Sequence, residues 1–280
     1  MYNTVYHNGQ FKHLNDVHIH INDRGFLYGH SVYESICITN SQPFLFEEHY
    51  LRLRQGLKKM GISETLSSSD LLSIIETLCE TNQVTSDAKC YIQITAGDTE
   101  ERNYTHFGSP NVIVRLYEWK KTPITNYKAI LIEDLRWGLC HVKSNSLAYN
   151  AIAGKKAHEA NAIEVIFIRD EFVQECSTSN IFICQEDKLY TPDSSQQFLH
   201  GITRQWVLDH AREMNIEVIE KPIHVDELYH ADEVFITASY KGVHPIMRIN
   251  DKIINQERIG TITKILQEAY LHACHSISTH

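Results

Sequence analysis

Residues Ile163-Glu-Val-Ile-Phe-Ile168, Arg169-Asp-Glu171, then Val173-Gln-Glu-Cys-Ser-Thr-Ser-Asn180, Ile181-Phe-Ile-Cys184, Gln185-Glu-Asp187 and Lys188-Leu-Tyr-Thr191 decide the fold. Short β-branched and aromatic runs alternate here with polar breaks of two or three residues. They predict a tight turn at Arg169-Asp-Glu171 and a hairpin joining 180–184 to 188–191 around Gln185-Glu-Asp187. Upstream lie a strand over 129–135 and a helix over about 147–160. Downstream, Gly201 precedes a helix over about 203–214. A strand at 216–219, a short helix near Glu227, a strand at 233–237, a hairpin around Asn250-Asp251 and a helix from about Glu257 follow.

The first half reads in the same mixed way. Asn8-Gly9 between β-type residues predicts a hairpin. Strands are predicted at 18–22, 31–38, 90–95 and 111–117. A helix runs over 46–60 and stops at Gly61, and Ser67 caps a second helix that continues to about Cys79. Without strict strand–helix alternation, the fold class is α+β rather than a doubly wound sheet. At 280 residues the chain is long enough for two domains. The polar, proline-marked Trp119-Lys-Lys-Thr-Pro123 marks the break: a smaller domain over 1–119, a linker over 120–124 and a larger domain over 125–280.

Composition excludes several classes of function. With 26 basic and 35 acidic residues the net charge is −9, and there is no basic run to bind nucleic acid or an anionic membrane. No window has the 18 or so apolar residues of a membrane helix, and the first twenty residues do not read as a signal peptide. The seven cysteines contain no CxxC and the 17 histidines form no ligand set, so no metal is expected. Free thiols fit a reducing, cytoplasmic compartment. Phosphate-loop, dinucleotide, nucleophile-elbow and zinc-protease motifs are absent.

Four polar segments remain as chemistry. Lys143, between a strand and a helix, is either a solvated loop lysine or an amine desolvated in a cleft and competent for a Schiff base. Glu175 ends a strand ahead of a Ser/Thr cluster. It is either part of a polar turn or a carboxylate able to hold a pyridinium N–H. Gly201-Ile-Thr-Arg204 is an ordinary helix start or an anion site, because free N–H groups and the positive dipole end favour phosphate. Thr237-Ala-Ser-Tyr-Lys-Gly242 is a plain loop or a second set of hydroxyl donors.

Taken in order, these segments resemble a known family. Asp23-Arg-Gly-Phe-Leu-Tyr-Gly29 with Val32-Tyr-Glu34, His49-Tyr-Leu-Arg-Leu53, Lys143-Ser144 with Ala157-His-Glu159, Glu175-Cys-Ser-Thr-Ser-Asn-Ile-Phe182, Gly201-Ile-Thr-Arg204 and Ala231-Asp-Glu-Val-Phe235 are similar to motifs of the class IV aminotransferases. These are two-domain, fold type IV enzymes dependent on pyridoxal 5′-phosphate. The nearest look is to D-amino-acid aminotransferases, through Glu133-Asp-Leu-Arg-Trp137. Branched-chain aminotransferases and 4-amino-4-deoxychorismate lyases are the other relatives.

The resemblance implies that Lys143 forms the Schiff base and shuttles the proton, and that Glu175 pairs with the pyridine nitrogen. It implies that Arg52, Thr203 and Ser239 hold the phosphate with the backbone of Ile202 and Ala238, and that Leu199 packs on the ring. Tyr33, His30, Ser177 and Thr178 would line the substrate side. It also implies a homodimer, and an amino acid and a 2-oxo acid as substrates in ping-pong turnover. Two positions depart from the pattern. The usual Gly-Asp-Gly is Gly29-His30-Ser31, and Ala96 stands where the resemblance implies an arginine for the substrate carboxylate, with Arg102 and His106 a few residues on. Two alternatives stand beside transamination: a lyase using the same Lys143 to release p-aminobenzoate and pyruvate, and a non-catalytic relative that binds the cofactor or a partner.

Overall fold

The computed structural model describes residues 2–119, 127–193 and 197–276. The chain forms two compact units: Met1–Lys121 with Val142–Leu147 and Cys274–His280, and Thr122–His141 with Ala148–Ala273. The linker expected at 120–124 lies outside the described residues.

The first unit is built on β1 (Thr4–His7), β2 (Gln10–His13), α1 (Arg24–Tyr28), β3 (Ser31–Thr39), β4 (Gln42–Pro43), α2 (Phe46–Lys59), α3 (Ser68–Thr81), β5 (Ala88–Thr95) and β6 (Asn111–Glu118). Its six-stranded sheet has the order β2-β1-β6-β5-β3-β4 and is antiparallel throughout. Asn8 and Gly9 both have positive φ, the geometry of the tight hairpin turn expected there. Two acidic residues in the first turn of α2 and two lysines in its last complement the helix dipole. Ser67 and Asp70 form a reciprocal capping box on α3. Apolar faces of both helices join Ile36, Ile92, Val114 and Leu116 of the sheet in one core.

The strand expected at 18–22 is not formed. Ile19 and Ile21 alternate with polar residues but are exposed, and the segment pairs with no neighbouring strand. It leads instead into Asp23, whose buried carboxylate accepts N–H bonds from Gly25 and Phe26 and caps α1, a helix the periodicity does not predict.

The second unit contains β7 (Lys128–Glu133), α4 (Ala148–Glu159), β8 (Glu164–Arg169), β9 (Phe172–Cys176), β10 (Asn180–Gln185), β11 (Lys188–Thr191), α5 (Ile202–Glu213), β12 (Val218–Glu220), α6 (Val225–His230), β13 (Glu233–Ala238), β14 (Gly242–Ile246), β15 (Arg248–Ile249), β16 (Lys252–Ile253) and α7 (Thr261–His275). Two five-stranded sheets result, β12-β11-β10-β13-β14 and β16-β15-β7-β8-β9. The hairpins expected from Arg169-Asp-Glu171 and Gln185-Glu-Asp187 are present. Asp170 and Glu171, and Glu186 and Asp187, take positive φ in pairs.

Residues 142–147, expected within the larger domain, group with the first unit, and the reason is local. One side of β3 pairs with β5, and β4 covers only the far end of its other side. Lys143–Asn145 lies along the remaining edge: Tyr33 N–H donates to the Lys143 carbonyl at 3.0 Å, Asn145 N–H to the Ser31 carbonyl at 3.4 Å, and Val32 bridges Ser144. Backbone groups that would otherwise stay unpaired are satisfied.

Candidate active site

In the first unit this edge pairing brings Lys143 against Tyr33. The Lys143 Nζ lies 4.4 Å from the Tyr33 ring centroid, within cation–π range. Strand side chains alternate faces, so the next residue, Glu34, turns into the core and is fully buried. His49 and Arg52, three apart and so on one face of α2, reach it together. Glu34 Oε1 accepts from Arg52 Nε at 2.8 Å, and Oε2 accepts from Arg52 Nη2 at 2.8 Å and from His49 Nδ1 at 2.7 Å. Burial is the largest single influence on this carboxyl and pushes its pKa up. The Arg52 charge, then His49 and the hydrogen bonds, outweigh it and hold the group well below the usual range. Burial holds His49 below its ordinary value, so it is a neutral donor. Arg52 is thereby oriented by a fixed anion, with its side chain only 14% exposed.

His30, which the resemblance places on the substrate side, is held by partners within the first unit. Its Nδ1 takes the Nε–H of Arg24 at 3.3 Å, its Nε2 bonds the Met60 carbonyl at 2.7 Å, and Phe107 packs edge-on against it. Arg24, buried, also donates to the carbonyls of Asn103 and His106 and so pins the 97–109 loop from inside. Ala96 sits in the core of the unit. Arg102 is exposed on the loop, its guanidinium 5.7 Å from the Tyr28 ring.

In the second unit, Glu175 closes β9 and is buried. Leu199 N–H donates to its Oε2 at 3.3 Å, and Asn180 Nδ2 reaches the same oxygen at 3.4 Å and the Leu199 carbonyl at 2.7 Å. Glu175 and Leu199 are therefore held side by side. Arg136 donates to Glu175 Oε1 and in two-pronged fashion to the buried Asp134, with its guanidinium over the Phe167 ring at 4.2 Å. Burial pulls the Arg136 pKa down, but the Asp134 hydrogen bond and the Glu175 and Asp134 charges outweigh it, so the cation is secure.

Gly201 follows Leu199 closely and starts α5. A Cβ there would lie 2.1 Å from Asn180 Oδ1, so only glycine leaves the Asn180–Leu199 bond in place. Helix α5 has no side-chain N-cap bond. Its first N–H groups, including that of Ile202, have no intrahelical acceptor and favour an anion. Thr203 is buried one position further. Ala238 and Ser239 leave β13 into the turn closed by the Lys241 N–H to Ala238 carbonyl bond.

Ser177 and Thr178, which the resemblance places on the substrate side, surround a buried carboxylate. Their hydroxyls, with that of Ser179, donate to the buried Glu164, which also receives Lys241 Nζ at 2.7 Å. They hold the 176–180 turn in shape. The sequence reading missed Glu34, His49, Arg136, Asn180 and Glu164. The i,i+3 spacing of His49 and Arg52 was a usable signal, and Arg136 stood in a quoted motif. Glu164, inside an apolar strand, was the signal most open to notice, since a lone carboxylate is not buried without partners.

The donor set suits pyridoxal phosphate. The first unit holds a lysine amine, and the second holds a buried carboxylate with an aliphatic residue fixed beside it and a helix start whose N–H groups and buried hydroxyl suit a phosphate. Comparison with known proteins agrees. Residues 31–249 match the family Amino-transferase class IV. The chain belongs to this family.

As a class IV aminotransferase it is 34% identical over 269 residues to the D-alanine aminotransferase of Bacillus licheniformis, covering 95% of each chain. It is 32% identical over 273 residues to that of Staphylococcus aureus strain N315, covering 95% and 96%. The fold is that of a branched-chain amino acid aminotransferase from Thermoproteus uzoniensis with norvaline, at a TM-score of 0.90, 21% identity and coverage of 98% and 96%. A structure described as a putative 4-amino-4-deoxychorismate lyase from Legionella pneumophila shares it at a TM-score of 0.85, 23% identity and coverage of 92% and 96%. The protein is thus a pyridoxal-phosphate-dependent class IV transaminase acting on an amino acid and a 2-oxo acid. Among the described residues no helix is long and apolar enough to cross a membrane.

Proposed function

We propose that this enzyme transfers the amino group of a D-amino acid of the D-alanine class to a 2-oxo acid in ping-pong turnover. The observation that carries the reading is the end-to-end similarity to D-alanine aminotransferases; the branched-chain and lyase structures share the fold alone. Pyridoxal phosphate, when bound, supplies an aldehyde that takes up amino groups and a ring that accepts electrons.

The rest belongs to the chain. Lys143 Nζ would hold the cofactor through its aldehyde and would hold and move the proton at the substrate α-carbon. Glu175, kept in place by Arg136, Asn180 and the Leu199 N–H, would hold the ring nitrogen. Leu199 covers the ring. Arg52, aimed by Glu34, holds the phosphate with Thr203, Ser239 and the backbone of Ile202 and Ala238. Tyr33 lines the substrate side, and Arg102 replaces the carboxylate-binding arginine that Ala96 cannot supply. The exposed Ile21, Phe26, Tyr104 and Phe107 of the first unit support a homodimer, since exposed apolar side chains of this kind mark protein contacts. Seven buried free thiols support a cytoplasmic setting.

The test is a half-reaction screen on the holoenzyme, adding D- and L-amino acids one at a time and following the visible absorbance of the bound cofactor. D-Alanine should bleach it and L-alanine should not. Lys143→Ala should abolish both the absorbance band and turnover. Preference for L-substrates, or pyruvate released from 4-amino-4-deoxychorismate without an acceptor, refutes the assignment. Turnover surviving in Lys143→Ala removes that residue from it.

A further inference from the structure

The C-terminal helix α7 sends Tyr270 into the interior, where it is 3% exposed. Its hydroxyl lies 3.2 Å from Thr203 Oγ1. Its ring packs edge-on against Trp206, with centroids 5.1 Å apart at 82°, and Trp206 is three residues after Thr203 on α5. On another side the ring touches the turn that follows Ser239. Gly242 has φ +61, and a Cβ there would stand 3.0 and 3.2 Å from two Tyr270 ring carbons. One buried tyrosine therefore touches both elements that carry hydroxyl donors to the phosphate in the reading above, the first turn of α5 and the 238–242 turn.

Thr203 has one hydroxyl proton. If that proton is directed at a phosphate oxygen, Thr203 Oγ1 is left as an acceptor, and the Tyr270 O–H beside it can donate to it. The two bonds then run in one direction, from Tyr270 to Thr203 to phosphate, and each polarises the next. We propose that Tyr270 is a positioning residue for the cofactor phosphate: its hydroxyl orients and polarises Thr203 while its ring fixes the spacing of the two donor turns. The inference rests on Thr203 holding the phosphate.

Phenylalanine at 270 keeps the ring and removes only the hydroxyl. Full-length wild type, Tyr270→Phe, Thr203→Ala and the double variant are titrated with pyridoxal 5′-phosphate and, separately, with pyridoxal, which lacks the phosphate. Tyr270→Phe should weaken pyridoxal phosphate binding about 3–10-fold, the range for one neutral hydrogen bond, and leave pyridoxal within about twofold. The double variant should bind no more weakly than Thr203→Ala, because the hydroxyl acts through Thr203. Wild-type affinity in Tyr270→Phe, or equal weakening toward both compounds, overturns the proposal, the second outcome marking a purely structural tyrosine. Thr203→Ala that binds pyridoxal phosphate as wild type does removes the phosphate reading of Thr203 and this inference with it. If Thr203→Ala weakens binding and Tyr270→Phe does not, the inference alone fails.

Discussion

Replacing Glu34 by Gln removes one charge from the most enclosed ionic cluster of the first unit. The carboxylate, its side chain 1% exposed, accepts three hydrogen bonds: Arg52 Nε at Oε1, and Arg52 Nη2 with His49 Nδ1 at Oε2. The amide is the same size but has one acceptor oxygen. Turned one way, it keeps the two bonds at the Oε2 position and sets its NH2 against Arg52 Nε. Turned the other way, it keeps one bond and opposes two donors. The first is preferred, yet it takes away the Glu34 charge that the Arg52 guanidinium faces. Removing one partner of a buried pair costs about 3–5 kcal/mol; two surviving bonds put this case at the lower end, about 3 kcal/mol.

The pH dependence has a definite sign. The folded carboxyl is held below the ordinary glutamate value of about 4.3. Its stabilisation is therefore complete above that value and is lost as pH falls below it. Both proteins carry His49→Gln, because burial depresses this imidazole and the Glu34 charge partly offsets that, so it would titrate differently with and without Glu34. Urea unfolding followed by far-UV circular dichroism should show a gap of about 3 kcal/mol at pH 7 that holds to about pH 5. At pH 3.5 the gap should be about 1 kcal/mol smaller. A gap under about 1 kcal/mol at pH 7, or one that does not narrow on acidification, refutes the buried-cluster argument.

Gly97→Ala should open the 97–109 loop, since Gly97 has φ +73 and a Cβ there would stand 1.9 Å from the Ser109 carbonyl oxygen. Limited proteolysis reads this as faster tryptic cleavage after Arg102, and an unchanged rate counts against the tight loop neck. Lys241→Met leaves the buried Glu164 its hydroxyl donors but not its cation. Because Lys241 is partly exposed, a loss of about 2 kcal/mol is expected, seen as a thermal midpoint lower by about 5 °C; an unchanged midpoint shows that the hydroxyls alone hold Glu164.

Hairpins, helix caps and helix ends were legible because each depends on a few adjacent residues. Asn8-Gly9 tolerates positive φ, Ser67 and Asp70 satisfy each other's backbone, and Glu175, Thr203 and Lys143 stand at element ends where a motif can mark them. The short α1 escaped because its cap is a buried aspartate that also takes the Thr95 hydroxyl from a strand 72 positions away. His30, Ser177 and Thr178 carry the right chemistry for a substrate, and nothing local to them announces Arg24, Met60 or Glu164 as their partners.

Local stereochemistry was thus enough for most of the α+β elements and their turns. Long-range pairing settled the rest: residues 142–147 joined the first unit because β3 had an open edge, Arg52 acquired its aim from Glu34, and a tyrosine near the C-terminus came to rest on Thr203. Hydrogen-bond demand inside a core is met by whichever group packing brings within reach, and that partner is separated along the chain by distances no short motif can span.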